Sequence, residues 1–161
     1  MLIAKVLAFT LVGPGLIAVV IPLLVLPHAP LRSLTLDLNT AFGAALMLAG
    51  AALYIWCTGR FVSEGRGTPA PFDPPKRLVV GGPYRVVRNP MYIGGTMALL
   101  GEALCLRSFW HLGYTALFFL ASHIRVVCWE EPALRRAFGA DYTEYCQLVP
   151  RWLPLPKRPG A

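Results

Sequence analysis

Four apolar stretches, Leu2–Leu26, Thr40–Cys57, Met91–Leu106 and Phe109–Cys128, occupy most of the chain before residue 129. Each approaches or exceeds the roughly 20 residues a helix needs to cross bilayer hydrocarbon. Soluble domains typically carry about 25% charged residues, whereas this chain carries 14% against 56% hydrophobic. A disordered chain is excluded, and an ordinary soluble enzyme is disfavoured. The expected fold class is all-α: a polytopic membrane protein with about four transmembrane helices. At 161 residues a single compact domain is expected. Residues 1–58 are expected to form two N-terminal spans, 59–90 a cytoplasmic connector, 91–128 a helical hairpin and 129–161 a cytoplasmic amphipathic helical tail.

The first stretch carries Lys5 and is interrupted by Gly13, Pro14, Gly15 and Pro22, so it reads as a kinked span. It exceeds the 7 to 15 residues of a signal-peptide core and lacks a small-x-small cleavage site. The second is rich in Gly and Ala, which let helix backbones approach closely in lipid. Its Tyr54 and Trp56 fall where an aromatic belt marks the interface. Glycine and proline crowd Gly59–Pro83 and predict a connector without a long helix. Arg60, Arg66, Lys76, Arg77, Arg85 and Arg88 on that connector, with Arg135, Arg136, Arg151, Lys157 and Arg158 in the tail, predict that both lie on the cytoplasmic side. The termini follow them inside. Arg107 and Ser108 alone separate the last two stretches, which predicts a tight helical hairpin. Glu102 is expected near its far end, paired with Arg107, since an intramembrane carboxylate needs a partner.

The net charge of +7 sits between and after the apolar runs, so the expected partner is lipid phosphate in the bilayer, not nucleic acid. Cys57, Cys105, Cys128 and Cys146 form no C-x-x-C pair and have no His at ligand spacing, so neither a disulfide framework nor a metal is expected. Beyond the last span, Glu130, Glu131 and Pro132 predict the start of a short helix, with Pro where its missing N–H costs nothing and acids where the helix dipole favours them. Gly139 is expected to close it. Asp141 and Glu144 resemble a capping box for a second helix, and Val149–Pro154 reads as an extended strap with an interfacial Trp152.

Two clusters hold the chemistry-bearing residues. One is Gly82-Pro83-Tyr84-Arg85-Val86-Val87-Arg88-Asn89-Pro90-Met91-Tyr92-Ile93-Gly94-Gly95, the other His123-Ile124-Arg125-Val126-Val127-Cys128-Trp129-Glu130-Glu131. A tight hairpin brings their ends together and predicts a pocket with cations on one wall and carboxylates on the other. Glycines there let a ligand lie against backbone. The run G-P-Y-R-x-x-R-N-P-M-Y-x-G, followed by E-E-x-x-L-x-x-x-F-G-x-x-Y-x-x-Y-x-x-x-V-P-R-W-x-P, resembles the isoprenylcysteine carboxyl methyltransferase and phospholipid methyltransferase superfamily of integral membrane enzymes over about Gly65 to Pro154. The resemblance implies S-adenosylmethionine as methyl donor, with S-adenosylhomocysteine as product, and a site between the last membrane helices and the tail. Members commonly show Arg-His-Pro where this chain has Arg88-Asn89-Pro90; Asn still donates a hydrogen bond but does not titrate near neutrality.

Within that resemblance Glu130 and Glu131 are expected to accept from the donor's ammonium or ribose hydroxyls. Asn89, Pro90, Tyr92, Gly94, Gly95 and His123 are the other expected cofactor-binding residues. Arg88 and Arg125 are the catalytic candidates, either able to grip a carboxylate bidentately. The plainer readings are a solvated helix start for the glutamates, lipid anchoring for Arg85 and Arg88, and a hydrogen-bonded core role for His123. The expected activity is methyl transfer, without a metal, to a lipid-like or hydrophobic substrate: an isoprenylcysteine-type carboxylate or another lipophilic acid, amine or thiol. A non-catalytic scaffold of the same fold, or an NADPH-dependent membrane reductase, is the alternative. Richness in Ala, Arg, Gly and Pro suggests a bacterial cytoplasmic membrane.

Overall fold

In a computed structural model of the chain, residues 10, 15–17, 20–27, 37–65, 67 and 75–154 are described. Every regular element among them is helical: α1 (Ile21–Val25), α2 (Leu38–Arg60), α3 (Pro90–Leu106), α4 (Phe109–Arg125) and α5 (Glu131–Leu148). Two π turns, Phe61–Gly65 and Val126–Glu130, continue α2 and α4, and a 3-10 turn, Gly82–Arg85, precedes α3.

Two helical stretches among the described residues are long and apolar enough to cross a membrane, Leu38–Gly65 and Phe109–Leu148. Four crossings were expected. α3 is apolar but only 17 residues long, about 25 Å at 1.5 Å per residue, short of a hydrocarbon core of about 30 Å. The first predicted span falls largely outside the described residues. The surface of α4 supports immersion in lipid. Its buried positions are His111, Thr115 and Ser122, preceded by buried Ser108, while Phe109 is 87% and Trp110 65% exposed. Polar inside and apolar outside is the pattern of a helix whose solvent is hydrocarbon, where backbone and side-chain polar groups must be satisfied internally.

α2 and α3 pack antiparallel along a glycine seam. A Cβ at Gly50 would lie 2.5 Å from the Gly94 carbonyl oxygen, and one at Gly43 would lie 2.7 Å from that of Gly101. Each pair is seven residues from the other on its own helix, so successive contacts fall on one face. Without side chains between them the backbones come close enough for dispersion to hold helices together in lipid, where no hydrophobic drive exists.

The hairpin turn is built from capping chemistry. Arg107 ends α3 in the left-handed region at φ 49°, and the Ser108 side chain accepts from His111 N–H at 3.4 Å to start α4. Arg107 pairs with Asp37, which also caps α2 by accepting from Thr40 N–H at 2.9 Å. The expected Glu102–Arg107 pair therefore does not form, because Asp37 at the start of α2 claims the guanidinium. Glu102 is 2% exposed, and its carboxylate finds no hydrogen-bond partner among the described residues.

Two boundaries differ from expectation. Helical structure runs to Gly65 instead of ending at Gly59, since Gly59 faces open space and the first proline of the connector is Pro69. The acidic pair does open α5, with Pro132 in its first turn, but no break separates that helix from α4. The Glu131 N–H bonds to Val126 O, five residues back, and this wider turn accommodates Pro132, whose missing N–H and bulky ring would otherwise break an α-ladder. Gly139 closes a first helix as expected, its φ 52° and ψ −118° being non-helical, and a second helix follows it directly, so α5 is two helices meeting at a kink.

Candidate functional site

The glycine turn before α3 is pinned to the end of α2. Gly81 N–H donates to Glu64 Oε2 at 3.1 Å, and Glu64 pairs with Arg60 at 2.7 Å. Gly82 has φ +59°, a conformation that favours glycine. Tyr84 then packs with Cys57 and Val79, its ring edge-on to Phe61 at 5.8 Å. These contacts deliver Arg88 and Asn89 to the end of the bundle where α4 passes into α5.

There the two predicted clusters meet in two networks. In the first, Tyr92 donates its hydroxyl to Glu130 Oε1 at 2.5 Å, and Arg125 Nε donates to the same oxygen at 2.8 Å. Glu130 Oε2 carries no hydrogen bond among the described residues. In the second, Glu131 is 4% exposed and gripped from several sides. Arg151 binds it bidentately, Nε to Oε1 at 2.7 Å and Nη2 to Oε2 at 3.0 Å, while Arg88 lies at 3.2 Å and Arg135 at 3.7 Å. Burial alone would raise the Glu131 carboxyl, but the hydrogen bond from Arg151 and the charges of Arg88, Arg151 and Arg135 outweigh it and hold it below the ordinary carboxylate value. Such charge-assisted, bidentate contacts are the strong class of hydrogen bond.

Across both networks runs the chain after α5. Arg88 N–H donates to Pro150 O at 2.8 Å, and Asn89 Nδ2 donates to Arg151 O at 3.2 Å. Trp152 Nε1 donates to His123 Nδ1 at 3.0 Å. The Trp152 ring lies 4.9 Å from Phe119, 6.0 Å from His123 and 6.4 Å from Tyr92. The tail is steadied from below by Tyr145, whose hydroxyl donates to Tyr84 O at 2.7 Å, and by the Tyr142, Tyr145 and Val149 core.

Of the sequence candidates, Arg88, Asn89, Tyr92, His123, Arg125, Glu130 and Glu131 thus converge at this end, and Pro90 opens α3 beside them. Gly94 and Gly95 do not face the networks. Gly94 sits in the seam against Gly50, and Gly95 packs under the Phe118 ring, where a Cβ would come within 3.1 Å. Sequence reasoning took Arg151 as a topology signal and Trp152 as an interfacial anchor. The structure makes both central, and their place in the V-P-R-W-x-P run beside the E-E run was the available signal. Cys146 was also missed; its thiol sulfur accepts from Arg88 Nη1 at 2.6 Å.

Chemically the site offers a carboxylate with a free oxygen, a cationic wall and an aromatic cluster closed around Trp152. It would suit a ligand with a cation, a carboxylate and a flat heteroaromatic ring. Among the described residues no group of three His, Cys, Asp or Glu side chains converges to hold a metal ion. In comparison with known proteins, residues 38–141 match the family model described as phospholipid methyltransferase. No curated protein and no solved structure matches the chain.

Proposed function

The chain belongs to the phospholipid methyltransferase family, and from that premise we propose that it moves a methyl group from S-adenosylmethionine to a lipid-like acceptor at the membrane surface. The observation that carries this reading is the convergence of Arg88, Asn89 and Tyr92 with Glu130 and Glu131 at one end of the bundle.

The residues present fit such a donor. Arg88 Nε is buried and has no hydrogen-bond partner among the described residues, so it can serve a carboxylate. The open Oε2 of Glu130 suits a ribose hydroxyl of the donor. Tyr92, Phe119 and His123 surround the Trp152 ring, and a purine taking that ring's place would stack among them. When bound, the donor supplies an already activated methyl on a sulfonium, so no metal or covalent intermediate is required. The protein's task is then alignment and exclusion of water. Arg125 fixes the Glu130 carboxylate from one side and Tyr92 from the other, so its free oxygen is aimed without reorganisation. The lipid-facing surface of α4 offers the acceptor a route from the bilayer.

The basic residues Arg60, Lys76, Arg77, Arg85, Arg135 and Arg136, gathered on the segments that build this end, support a cytoplasmic site by the positive-inside rule. In the same reading α3, about 5 Å short, crosses where the bilayer thins to meet it, and with the N-terminal apolar run and the two long helices it gives four spans with both termini inside.

Calorimetric titration of the detergent-purified protein with S-adenosylhomocysteine tests the donor. Saturable binding that weakens about tenfold in Glu130→Gln is expected, the loss of one charge-assisted contact. Absence of binding by the unaltered protein would overturn the reading. Incubation with labelled donor and a total lipid extract should place the label on a lipid.

A further inference from the structure

The strap Val149–Pro154 is folded into the very features that recommend the site for a nucleoside ligand. Arg151 occupies both oxygens of Glu131, at 2.7 and 3.0 Å. Arg88 and Arg135 add ion pairs to the same carboxylate, so both of its oxygens are already engaged by guanidinium groups. Trp152 occupies the aromatic slot, its ring against Phe119, His123 and Tyr92 and its N–H on His123 Nδ1. A cation followed by a flat, N–H-bearing aromatic ring is the pattern of the proposed donor: an ammonium reaching a carboxylate, and a purine whose amino group can donate to the same imidazole nitrogen.

We propose that Arg151 and Trp152 are a built-in occupant of the methyl-donor site, standing where the donor's ammonium and purine bind, so that the strap must leave before the donor enters. This deepens the methyltransferase reading and rests on it. The two main-chain anchors differ in what they allow. Pro150 O is held by the Arg88 backbone N–H, whereas Arg151 O is held, among the described residues, by the Asn89 side-chain amide. The strap therefore hinges at Pro150, and Asn89 is its latch. An uncharged amide holds this latch at any pH between acid and alkaline extremes, which a histidine in that place would not. Donor affinity is reduced by the fraction of molecules whose strap is open, and weakening the strap raises that fraction.

The test uses the full chain in detergent. In a variant with Trp56, Trp110 and Trp129 replaced by Phe, Trp152 is the only indole. Titration with S-adenosylhomocysteine should shift its emission to the red and increase acrylamide quenching, saturating with the ligand. By calorimetry Trp152→Ala and Arg151→Gln should bind S-adenosylhomocysteine about tenfold tighter than the unaltered protein, and Trp152→Phe, which keeps a ring in the slot, within about threefold of it. If Trp152 becomes more protected on binding, or Trp152→Ala binds more weakly, the strap is part of the loaded site and the proposal is wrong. If S-adenosylhomocysteine binds neither the unaltered protein nor any variant, the methyl-donor reading fails first and takes this one with it. Should the alanine variant not fold, the emission measurement on the protein with an intact strap still decides.

Discussion

Glu130 and Glu131 are neighbours in sequence, yet the helix turns them toward different surroundings and so toward different chemistry. Glu131 is buried under three guanidinium groups, and removing its charge leaves those cations facing one another in a partly desolvated space. Glu131→Gln is expected to cost about 3 kcal/mol, within the range for breaking a buried pair, read as a lower melting temperature in detergent. Glu130, held by one half-exposed arginine and one phenol, should cost under about 1 kcal/mol as Gln while weakening nucleoside binding. The larger cost to stability would thereby fall on one of two adjacent residues. Equal loss of stability in both variants would refute the division. Glu102 poses the opposite case. Its buried carboxylate has no hydrogen-bond partner among the described residues, and such an orphan costs about 1–3 kcal/mol. Glu102→Leu should therefore raise the melting temperature, and more than Glu102→Gln, which keeps a polar group in the same place. A lower melting temperature for the leucine variant would mean that the carboxylate has a partner after all.

At the scale of elements the glycine seam sets how α2 and α3 meet. The obstacles to a Cβ at Gly50 are the Gly94 carbonyl at 2.5 Å and the Ala98 nitrogen at 2.9 Å, both backbone atoms that yield only if the helices part. Gly50→Ala should cost about 1–3 kcal/mol as overpacking. Gly113→Ala, on α4 where nothing lies within 4 Å, should instead stabilise by up to about 1 kcal/mol through helix propensity alone. Paired melts in one detergent read both signs, and a tolerated Gly50→Ala would show that the seam is loose. The sequence reading saw that α2 was rich in small residues but assigned Gly94 to a ligand, because it lies inside the recognisable run. The seven-residue spacing from Gly94 to Gly101, matching Gly43 to Gly50, was the overlooked clue. Other features were legible: the helical hairpin at Arg107-Ser108, the meeting of the Asn89 and Glu130 clusters, and a strap after α5. The π turn before Pro132 was not, since proline near acids signals a helix start as readily as a widened turn in a continuous helix. Nor was the partner of Arg107, because ranking Asp37 over Glu102 requires knowing that α2 begins beside the hairpin.

At the scale of the whole molecule, the tail is tied to the bundle through charge, so its attachment depends on pH. The Glu131 carboxyl is held below its ordinary value of 4.5 because the surrounding arginines outweigh the effect of burial. A carboxyl with a depressed folded-state pKa stabilises the fold fully above its unfolded value, and that contribution is lost as pH falls through the folded value. The melting temperature should hold between about pH 7 and pH 5 and decline as acidification protonates Glu131, leaving Arg88, Arg135 and Arg151 without their common anion. Acid acts on carboxylates throughout the chain, so the unaltered protein's decline is not diagnostic alone. The difference is. Glu131→Gln has no proton to take up at this position, so its curve should start lower and fall less steeply, the two converging toward acid. Because Arg151 loses its bidentate partner in the same step, acid should also free the strap, increasing the quenching of a sole Trp152 before the helices melt. Parallel melting curves, or a Trp152 signal that changes only with global unfolding, would mean that the tail is held by packing around Tyr142 and Tyr145 and not by the Glu131 anchor.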